Sequence, residues 1–268
     1  MADDCGAMAG MNTTIPSIAR MYDYYLGGKD NFAVDRQRAE EVLRRVPDAG
    51  EGCRANRRFL GRAVRHVAQA GVRQFLDLGT GLPSQNNVHE IAQRVNSEAR
   101  VVYVDNDPIV LVHARALLAA DDSTAVIQED MRDPAKILDH PDTQRLIDFS
   151  QPVAIMFVAM LHFLTDHEDP WAVVSAFAER MAPGSYLVLS HGTLENRAPE
   201  HVAAIQEEYQ QATAPLVFRD RDAITRFYEG FELVDPGLVR LTDWRPDHQG
   251  ERTRPGGQWM LAGVGRKL

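Results

Sequence analysis

The sequence predicts an α/β protein built on a doubly wound, mostly parallel sheet with helices on both faces. From Gln74 onward, short apolar runs alternate with amphipathic segments, which is typical of such a sheet. The apolar runs are nearly continuous, as in parallel strands that are buried on both faces. We predict strands at residues 74–78, 100–105, 124–128, 152–158 and 186–191.

Helix start signals and apolar stripes fall between these runs. Asp107-Pro108 and Asp169-Pro170 each combine an N-cap residue with a proline at the first helical position. Apolar side chains then recur three and four residues apart, so each segment has one face to pack on the sheet. The same spacing occurs in Val88, Ile91, Ala92 and Val95.

The last part of the chain has a different pattern. Residues 238–244 and 258–265 are two strand-like runs, joined by a connection rich in proline, glycine and charged residues. This arrangement predicts a terminal antiparallel pair at the edge of the sheet.

Residues 15–72, ahead of the sheet, have a helical pattern. Phe59 and Leu60 belong to the apolar face of its last helix. The opposite face carries a basic stripe of Arg54, Arg58, Arg62 and Arg65. We interpret this stripe as a face turned to solvent, with an acidic partner as the alternative. The pattern divides the chain into a flexible tail (1–14), an N-terminal helical cap (15–72) and a core (73–268).

The composition of the 268 residues excludes several classes of protein. Lys and Arg number 29 against 38 Asp and Glu, so the formal charge is −9 and we expect no nucleic-acid partner. No apolar run approaches the roughly 18–20 residues of a membrane helix, and the polar start lacks the features of a signal peptide. We therefore expect no membrane partner and a cytoplasmic location. The two cysteines, Cys5 and Cys53, give neither a disulfide framework nor a zinc site.

The segment FLDLGTGLPS, residues 75–84, predicts a strand that enters a glycine-containing turn and then a helix. Glycine lets the backbone pass close to a ligand. A dinucleotide fingerprint requires a third glycine at the position of Ser84. The hypothesis of a nicotinamide-dependent oxidoreductase therefore has only this incomplete loop in its support. Asp77 lies two residues before Gly79, and a carboxylate there repels a pyrophosphate but suits a ligand with an ammonium group. S-adenosylmethionine carries such a group, and a sulfonium as well.

Acidic residues also follow the next two strands. Asp105 ends the second strand, 24 residues after Gly81, where an acid accepts hydrogen bonds from both ribose hydroxyls. The third strand is followed by Asp130-Met131-Arg132, where an acid accepts from an adenine amino group and Met131 lies against the ring. The ordered set of strand ends therefore predicts a site with groups for methionine, ribose and adenine.

These motifs resemble those of class I S-adenosylmethionine-dependent methyltransferases. The segments SIARMYDYYLGGKDNF (17–32), YVDNDP (103–108) and AMLHF (159–163) resemble a bacterial S-adenosyl methyltransferase family that was formerly a domain of unknown function. The resemblance covers nearly the whole chain. It implies a seven-stranded Rossmann-like sheet with a reversed last strand, S-adenosylmethionine as cofactor and S-adenosylhomocysteine as product. The candidate cofactor-binding residues are Arg20, Asp77, Gly79, Thr80, Gly81, Asp105, Asn106, Asp130, Met131 and Arg132.

The segment after the fourth strand departs from better-known subfamilies. It has no Asn-Pro-Pro-Tyr or Asp-Pro-Pro-Tyr, the signature of amino methylation on nucleobases and glutamine side chains; residues 158–163 stand in its place. We therefore expect methylation of a small-molecule oxygen or nitrogen. A non-catalytic S-adenosylmethionine-binding sensor or assembly protein is the alternative, because no unmistakable base is present. The oligomeric state is left open.

Candidate catalytic residues lie after the fourth strand and in the N-terminal segment. His162 follows the strand at the edge where ligands bind in open α/β sheets, and histidine titrates near neutral pH. Tyr25, Asp30 and Asn31 surround a glycine hinge in a segment that can cover the cofactor as a lid. Local packing is the alternative for all four. Arg20 is a candidate to pair with the cofactor carboxylate.

Two other kinds of chemistry find little support. The acidic and histidine residues at 162–169 match no metal-ligand spacing such as H-E-x-x-H, so we expect a solvated loop, a helix start and no metal. Ser190-His191 lacks the G-x-S-x-G context of a hydrolase nucleophile, which argues against acyl transfer.

Overall fold

The central feature of the fold is a mixed sheet with the strand order β3-β2-β1-β4-β5-β8-β6. The structure is a computed structural model that describes residues 13–83, 86–118, 122–195 and 198–268, with residues 115–118 described by their backbone alone. The strands are β1 (Gln74–Leu78), β2 (Arg100–Asp105), β3 (Thr124–Gln128), β4 (Ala154–Val158), β5 (Tyr186–Gly192), β6 (Phe231–Leu233), β7 (Val239–Arg240) and β8 (Met260–Lys267).

The first five strands are parallel and the last ones are reversed. β1 pairs with β2 and β4, β2 with β3, and β4 with β5, all in the parallel sense. β8 runs antiparallel to β5, from Tyr186 opposite Arg266 to Gly192 opposite Met260. It also pairs antiparallel with β6 and with the two-residue β7, which lies off the main path. The predicted fold class is therefore confirmed, including the reversed last strand.

Ten α-helices accompany the sheet in the described part of the chain. They are α1 (Ile18–Leu26), α2 (Ala33–Arg45), α3 (Ala49–Gln69), α4 (Val88–Val95), α5 (Pro108–Leu118), α6 (Pro134–Leu138), α7 (Pro141–Leu146), α8 (Pro170–Arg180), α9 (Pro199–Tyr209) and α10 (Arg221–Thr225). None of the helices in the described ranges is long and apolar enough to cross a membrane.

Side chains alternate between the two faces of the sheet, and a separate apolar cluster forms on each face. In β2, Val102 belongs to one cluster, which α6, α7 and α8 cover. Val101 and Tyr103 belong to the other, which α3 and α4 cover. Because consecutive strand residues point to opposite faces, a strand buried on both sides must be apolar throughout, as the sequence predicted.

The N-terminal helices differ in what they contact. α3 packs on the sheet through residues such as Phe59 and Val64. α1 and α2 instead share a smaller cluster of Met21, Tyr25, Ala39, Val42 and Cys53. The division into a tail, a cap and a core stays a prediction, and most of the proposed tail, with Cys5, lies outside the described residues.

The predicted terminal hairpin differs from the structure in its first strand. Only Val239–Arg240 of residues 238–244 is a strand, and β6 at the sheet edge was not predicted. Leu238, Leu241 and Trp244 recur every three residues and are all buried. The backbone turns there, with the N–H of Trp244 donating to the Arg240 carbonyl at 3.2 Å, because a period of three suits a turn rather than a strand.

The basic stripe on α3 is partly buried against the connection before β8. Arg62 is 4% exposed, pairs with Glu251 at 2.9 Å, and donates to the carbonyl of Trp244. Arg65 pairs with Asp247 at 2.7 Å. The acidic partner, which was the alternative prediction, therefore lies within the same chain. A buried, fully hydrogen-bonded pair of this kind fixes how the connection lies on α3.

Candidate active site

A cavity of about 500 Å³ lies at the carboxyl ends of β1 to β4. In open α/β sheets, ligands bind at this edge. Its walls come from the start of α1, the middle of α3, the four strand ends and the loop at residues 213–215. The volume lies within the range of about 300–1,000 Å³ that is usual for small-molecule sites.

The loop after β1 brings the backbone to the cavity through two glycines with positive φ. Gly79 has φ +73° and Gly81 has φ +64°, a region that other residues rarely adopt. A Cβ at Gly79 would overlap the sulfur of Met160, so this glycine allows close packing. A Cβ at Gly81 would meet nothing within 4 Å, so the backbone here borders open space. Ser84, at the position of the third glycine in a dinucleotide fingerprint, lies outside the described residues.

Two buried carboxylates, Asp77 and Asp105, line the middle of the cavity. Asp77 Oδ2 accepts from the Thr80 hydroxyl at 2.9 Å, and Asp105 Oδ2 accepts from the backbone N–H of Gly81 at 2.9 Å. The other oxygen of Asp105 accepts from the N–H of Asp107 at 2.9 Å. Burial raises the pKa of each carboxyl to about 6, against the opposing effect of these hydrogen bonds. Both side chains are therefore suited to a ligand that brings positive charge or hydrogen-bond donors.

Asp130, after β3, is held by Arg132. The Arg132 Nε and backbone N–H both donate to Asp130 Oδ1 at 2.9 Å, and a second guanidinium nitrogen donates to Glu168 at 2.7 Å. These hydrogen bonds from Arg132 keep the pKa of Asp130 below its ordinary value. Met131 lines the same part of the cavity and packs against the core. This end of the cavity therefore combines an ionised acceptor with an apolar side chain.

Arg20 lines the cavity, but its charge already has a partner in the protein. Its Nε donates to Asp35 at 2.7 Å, and another nitrogen donates to the Ile15 carbonyl at 2.8 Å. Both side chains of the ion pair are almost fully buried. Pairing of Arg20 with a cofactor carboxylate stays a prediction, and such a carboxylate would compete with Asp35.

The cavity brings together all ten residues predicted to bind the cofactor, from Arg20 to Arg132. None of the four candidate catalytic residues lines it. Apart from Arg20 in α1, the cofactor residues stand at strand ends, which meet at one edge by topology. The direction of a side chain in a helix or loop depends instead on its packing.

His162 is buried and does not line the cavity. Its Nδ1 accepts from the backbone N–H of Gly192 at 3.2 Å, and its ring contacts those of Phe163 and His191. Burial, together with His191 and Arg219, holds the pKa of His162 well below its ordinary value. A neutral, enclosed imidazole agrees with local packing, which was the alternative, and a role of His162 as a base stays a prediction.

Tyr25, Asp30 and Asn31 also lie away from the cavity. Tyr25 is buried in the cluster that joins α1 and α2, and burial raises its pKa well above the ordinary value. Asn31 is held inside the loop, where its Nδ2 donates to Asp23 at 2.7 Å. Asp30 is exposed, with His113 3.8 Å from its carboxylate. Tyr25 thus faces the helix cluster, Asn31 the loop and Asp30 the solvent, and a catalytic role for these three residues stays a prediction.

Several cavity residues were not among the predicted set. They include Ser17, Tyr22, Asn56, Arg57, Met160, Phe163, Glu168 and Thr213. Asn56 had a signal in the sequence, because it stands three and four residues before Phe59 and Leu60, on the apolar face of α3. A polar residue on a buried face needs hydrogen-bond partners, and this alone marks the position as unusual. The others had no such signal.

These residues fit S-adenosylmethionine. Asp77 offers a carboxylate to an ammonium group, Asp105 retains lone pairs for ribose hydroxyls, and the space beside Gly81 is open to the ligand. Within the described ranges, no group of three or more His, Cys, Asp or Glu side chains is arranged to hold a metal ion.

Comparisons with known proteins identify the family of this chain. The family described as S-adenosyl methyltransferase matches residues 5–268. A candidate methyltransferase from Thermobifida fusca YX is 46% identical, with 94% of this chain and 95% of that chain covered and a TM-score of 0.88. A DUF574 family protein from Streptomyces avermitilis MA-4680 is 42% identical, with 96% and 99% covered and a TM-score of 0.91. None of the curated proteins matches the sequence. The chain therefore belongs to the S-adenosyl methyltransferase family, as a methyltransferase with S-adenosylmethionine as cofactor and S-adenosylhomocysteine as product.

Proposed function

We propose that the chain methylates an oxygen or nitrogen of a small molecule. The observation that carries this proposal is the cavity itself, whose lining includes, besides the cofactor residues, Ala159 and Phe163 after β4, the start of α1 and residues 213–215. A site walled in this way suits an acceptor that fits within the protein rather than a macromolecule lying across the surface. The formal charge of −9 also argues against a nucleic-acid acceptor.

We assign the cofactor-binding roles in the order of the strands. Asp130 and Met131 after β3 hold the adenine, Asp105 at the end of β2 holds the ribose, and Asp77 in β1 holds the ammonium group. Gly79, Thr80 and Gly81 provide the close backbone approach, and Asn106, Arg132 and Arg20 complete the cofactor set that lines the cavity. When bound, the cofactor supplies an electrophilic methyl group on a sulfonium.

The protein's contribution to the reaction is chiefly orientation. Among the described residues that line the cavity, there is no histidine, lysine or cysteine. Holding the acceptor in line with the methyl carbon and the sulfur accounts for a large part of the rate enhancement in such displacements. We therefore propose that the chain aligns its acceptor and has no dedicated histidine base.

Two measurements test this function. Calorimetric titration with S-adenosylmethionine and S-adenosylhomocysteine is expected to show binding of both, and NADH serves as the negative control. A broad panel of small hydroxyl and amine compounds is then assayed for S-adenosylhomocysteine formation. Formation with at least one compound supports the proposal. Cofactor binding without any formation would favour the non-catalytic sensor, and no cofactor binding would contradict both functions.

The N-terminal cap is also part of the proposal. We propose that residues 15–72 cover the cofactor, since the start of α1 and the middle of α3 both line the cavity. α3 stays on the core, because its apolar face packs on the strands.

A further inference from the structure

A chain of buried polar groups links the ends of β4 and β5 to α1. The Ser190 hydroxyl donates to Asn56 Oδ1 at 2.6 Å, and Asn56 Nδ2 donates to the Tyr22 hydroxyl at 3.1 Å. Tyr22 in turn donates to the Cys53 carbonyl at 3.0 Å. Ser190 and Asn56 are 0% and 2% exposed. The cofactor-binding roles proposed above use none of these groups.

This hydrogen-bonded series of Ser190, Asn56 and Tyr22 also reaches the cavity wall through Ala159. The backbone N–H of Ala159 donates to the Ser190 hydroxyl at 2.9 Å. Ala159 has φ +60°, a conformation that costs energy in a residue with a Cβ and that persists only when its surroundings hold it. Ala159, Tyr22 and Asn56 all line the cavity. Ser190 therefore fixes both the wall after β4 and the amide of Asn56.

The position of this chain along the sheet separates it from the cofactor residues. Asp130, Asp105 and Asp77 follow the order β3-β2-β1, and β4 and β5 come next. Adjacent strands lie about 4.8 Å apart, so each step along the sheet is a step along the cavity. The Ser190–Asn56–Tyr22 chain thus lies beyond the end that holds the amino-acid portion of the cofactor, where the acceptor must approach.

Counting hydrogen bonds shows what this chain still offers to a ligand. A tyrosine hydroxyl has one hydrogen and two lone pairs. The hydrogen goes to Cys53 and one lone pair receives the Asn56 amide, so one lone pair of Tyr22 remains. Tyr22 can therefore accept a hydrogen bond from a ligand but has no second hydrogen to donate. This selects a partner with its own O–H or N–H.

Apolar side chains that are fixed in place also line the cavity. Phe163 lines the cavity, and its ring is held by His162 at 4.5 Å and Tyr209 at 6.0 Å between centroids. Met160 and Pro215 complete the wall. Rings held in this way favour a flat partner, because aromatic pairs stack offset or edge to face. The buried His162 thus has a function in supporting Phe163.

We propose that Tyr22 and Asn56 recognise the methyl acceptor, and that this acceptor is a planar aromatic compound whose hydroxyl or amine donates a hydrogen bond to the Tyr22 oxygen. Ser190 acts as a positioning residue through Asn56. The inference rests on the proposed function and names the class of its substrate.

The experiment compares naphthol with its methyl ether on protein saturated with S-adenosylhomocysteine. Dissociation constants are measured by saturation-transfer NMR. The ether keeps the ring and the oxygen but lacks the O–H, so the ratio of the two constants isolates the donated hydrogen bond. Naphthol is expected to bind the wild-type protein about three- to tenfold more tightly, the usual effect of one such bond.

Three variants, one of them a control, test whether the difference in affinity depends on the hydrogen-bonded series of Ser190, Asn56 and Tyr22. Tyr22→Phe keeps the ring and removes the oxygen, so the ratio is expected to fall to about one. Tyr24→Phe is the matched control on the same helix, because the Tyr24 hydroxyl donates to Glu40 at 2.9 Å and does not line the cavity; the ratio is expected to stay at the wild-type value. Ser190→Ala removes the hydrogen bond to Asn56 at the opposite end of the series from Tyr22, and the ratio of the two dissociation constants is expected to move toward one. Affinity for S-adenosylhomocysteine and the thermal midpoint show that each variant is folded.

The outcomes separate this inference from the function on which it rests. A wild-type ratio near one, no binding of either compound, or an unchanged ratio in Tyr22→Phe would overturn the inference. Failure of S-adenosylhomocysteine to bind the wild-type protein, observed before either compound is added, would instead contradict the proposed function.

Discussion

Asp105 combines two roles that a mutation can separate. Its two oxygens each accept one backbone N–H, from Gly81 and Asp107, and these bonds hold the loop after β1 against the end of β2. The remaining lone pairs are free for ribose hydroxyls. We predict that Asp105→Ala weakens S-adenosylmethionine binding by about 1–3 kcal/mol, because ligand hydroxyls lose their acceptor. Calorimetric titration measures this change directly.

The control for this variant is a nearby exposed carboxylate. Asp133 pairs with Lys136 at 2.9 Å on the surface and does not line the cavity, so Asp133→Ala is expected to leave the affinity unchanged. Asp105→Asn keeps an oxygen for one of the two backbone bonds and reports on the fold. Unchanged affinity in Asp105→Ala would show that the ribose assignment is wrong.

The buried position of His162 predicts that its replacement lowers the stability of the protein without changing its affinity for the cofactor. His162→Ala leaves the Gly192 N–H without its acceptor and removes a ring from beneath Phe163. An unsatisfied buried donor costs about 1–3 kcal/mol in the free energy of unfolding. Urea denaturation is expected to show this loss, while calorimetry shows an unchanged dissociation constant for S-adenosylhomocysteine.

A matched change at the next histidine tests the interpretation. His191 Nε2 lies 2.8 Å from Arg219, and burial lowers the pKa of His191 to about 3, so it too is a neutral packing group. His191→Ala is expected to resemble His162→Ala in both measurements. A loss of cofactor affinity in His162→Ala alone would place that side chain in the cofactor site.

Single residues could be predicted from the sequence where the path of the backbone alone determines their position. Asp77, Asp105 and Asp130 could be placed in advance because the carboxyl ends of neighbouring parallel strands meet at one edge. Tyr25 and Tyr22 could not be told apart, since they lie on one short helix and only packing decides which side chain faces the cavity. Side-chain direction in a helix that caps a site depends on contacts far away in the sequence.

At the scale of elements, the segment leading into α1 ties three parts of the molecule together. The Ser17 hydroxyl donates to Asp107 at 2.7 Å, beside the end of β2, and the Ser17 backbone N–H donates to Asp35 in α2 at 2.9 Å. The Thr213 N–H donates to the Pro16 carbonyl at 3.1 Å. Because Ser17 and Thr213 line the cavity, this segment forms part of the cavity wall.

Loosening this segment is expected to speed ligand release. Ser17→Ala removes one side-chain hydrogen bond, worth about 0.5–1.5 kcal/mol, while Asp107 still caps α5 through the Ile109 N–H. We predict that S-adenosylhomocysteine dissociates about three- to tenfold faster, measured by stopped-flow displacement with excess S-adenosylmethionine.

The control is another serine that bonds to an aspartate. Ser150 donates to Asp148 at 2.6 Å on the surface, and Ser150→Ala is expected to leave the dissociation rate unchanged. An unchanged rate in Ser17→Ala would mean that the segment before α1 does not limit release.

The elements that could be predicted are strands that are buried on both faces of the sheet. β1, β2 and β3 begin and end at the predicted residues, since they are apolar on both faces and are bounded by polar residues. β6 was missed, because Phe231–Leu233 is three residues long with a glutamate in the middle and is only half buried. A strand at the sheet edge is stabilised by its pairing with β8, and its own sequence carries little of that information.

On the scale of the whole molecule, the acidity has two different origins. Glu251 and Asp247 neutralise arginines of α3 and hold the connection before β8 in place. Asp77 and Asp105 have no cationic side chain within hydrogen-bonding contact in the structure as described, and burial raises both pKa values. The same kind of residue therefore stabilises the fold in one place and, in the proposed assignment, binds the cofactor's ammonium group or ribose hydroxyls in the other. Counting charges in the sequence does not distinguish the two.

The raised pKa values predict that cofactor binding depends on pH. The Asp77 and Asp105 carboxyls have pKa values of about 6 in the free protein, and an ammonium group and ribose hydroxyls favour their ionised forms. Binding therefore releases protons near pH 6. Affinity for S-adenosylmethionine is expected to rise from pH 5 to pH 7 by about fivefold for each carboxyl whose pKa falls by about one unit. In the free protein the sign is opposite: the stability that these raised pKa values contribute is fully present below the unfolded value near 3.9 and is lost as the pH rises through about 6.

Calorimetry at several pH values, in buffers with different ionisation enthalpies, measures both the affinity and the protons released. Asp105→Asn is expected to remove one part of the dependence and to leave that of Asp77 in place. Methylthioadenosine, which lacks the amino-acid portion, is the matched ligand and is expected to retain only the part due to Asp105. The same affinity at pH 5 and pH 7 for both ligands would show that neither carboxylate changes its ionisation on binding. The proposed contact between Asp77 and the ammonium group would then be wrong, because a cation placed beside a buried carboxyl must lower its pKa.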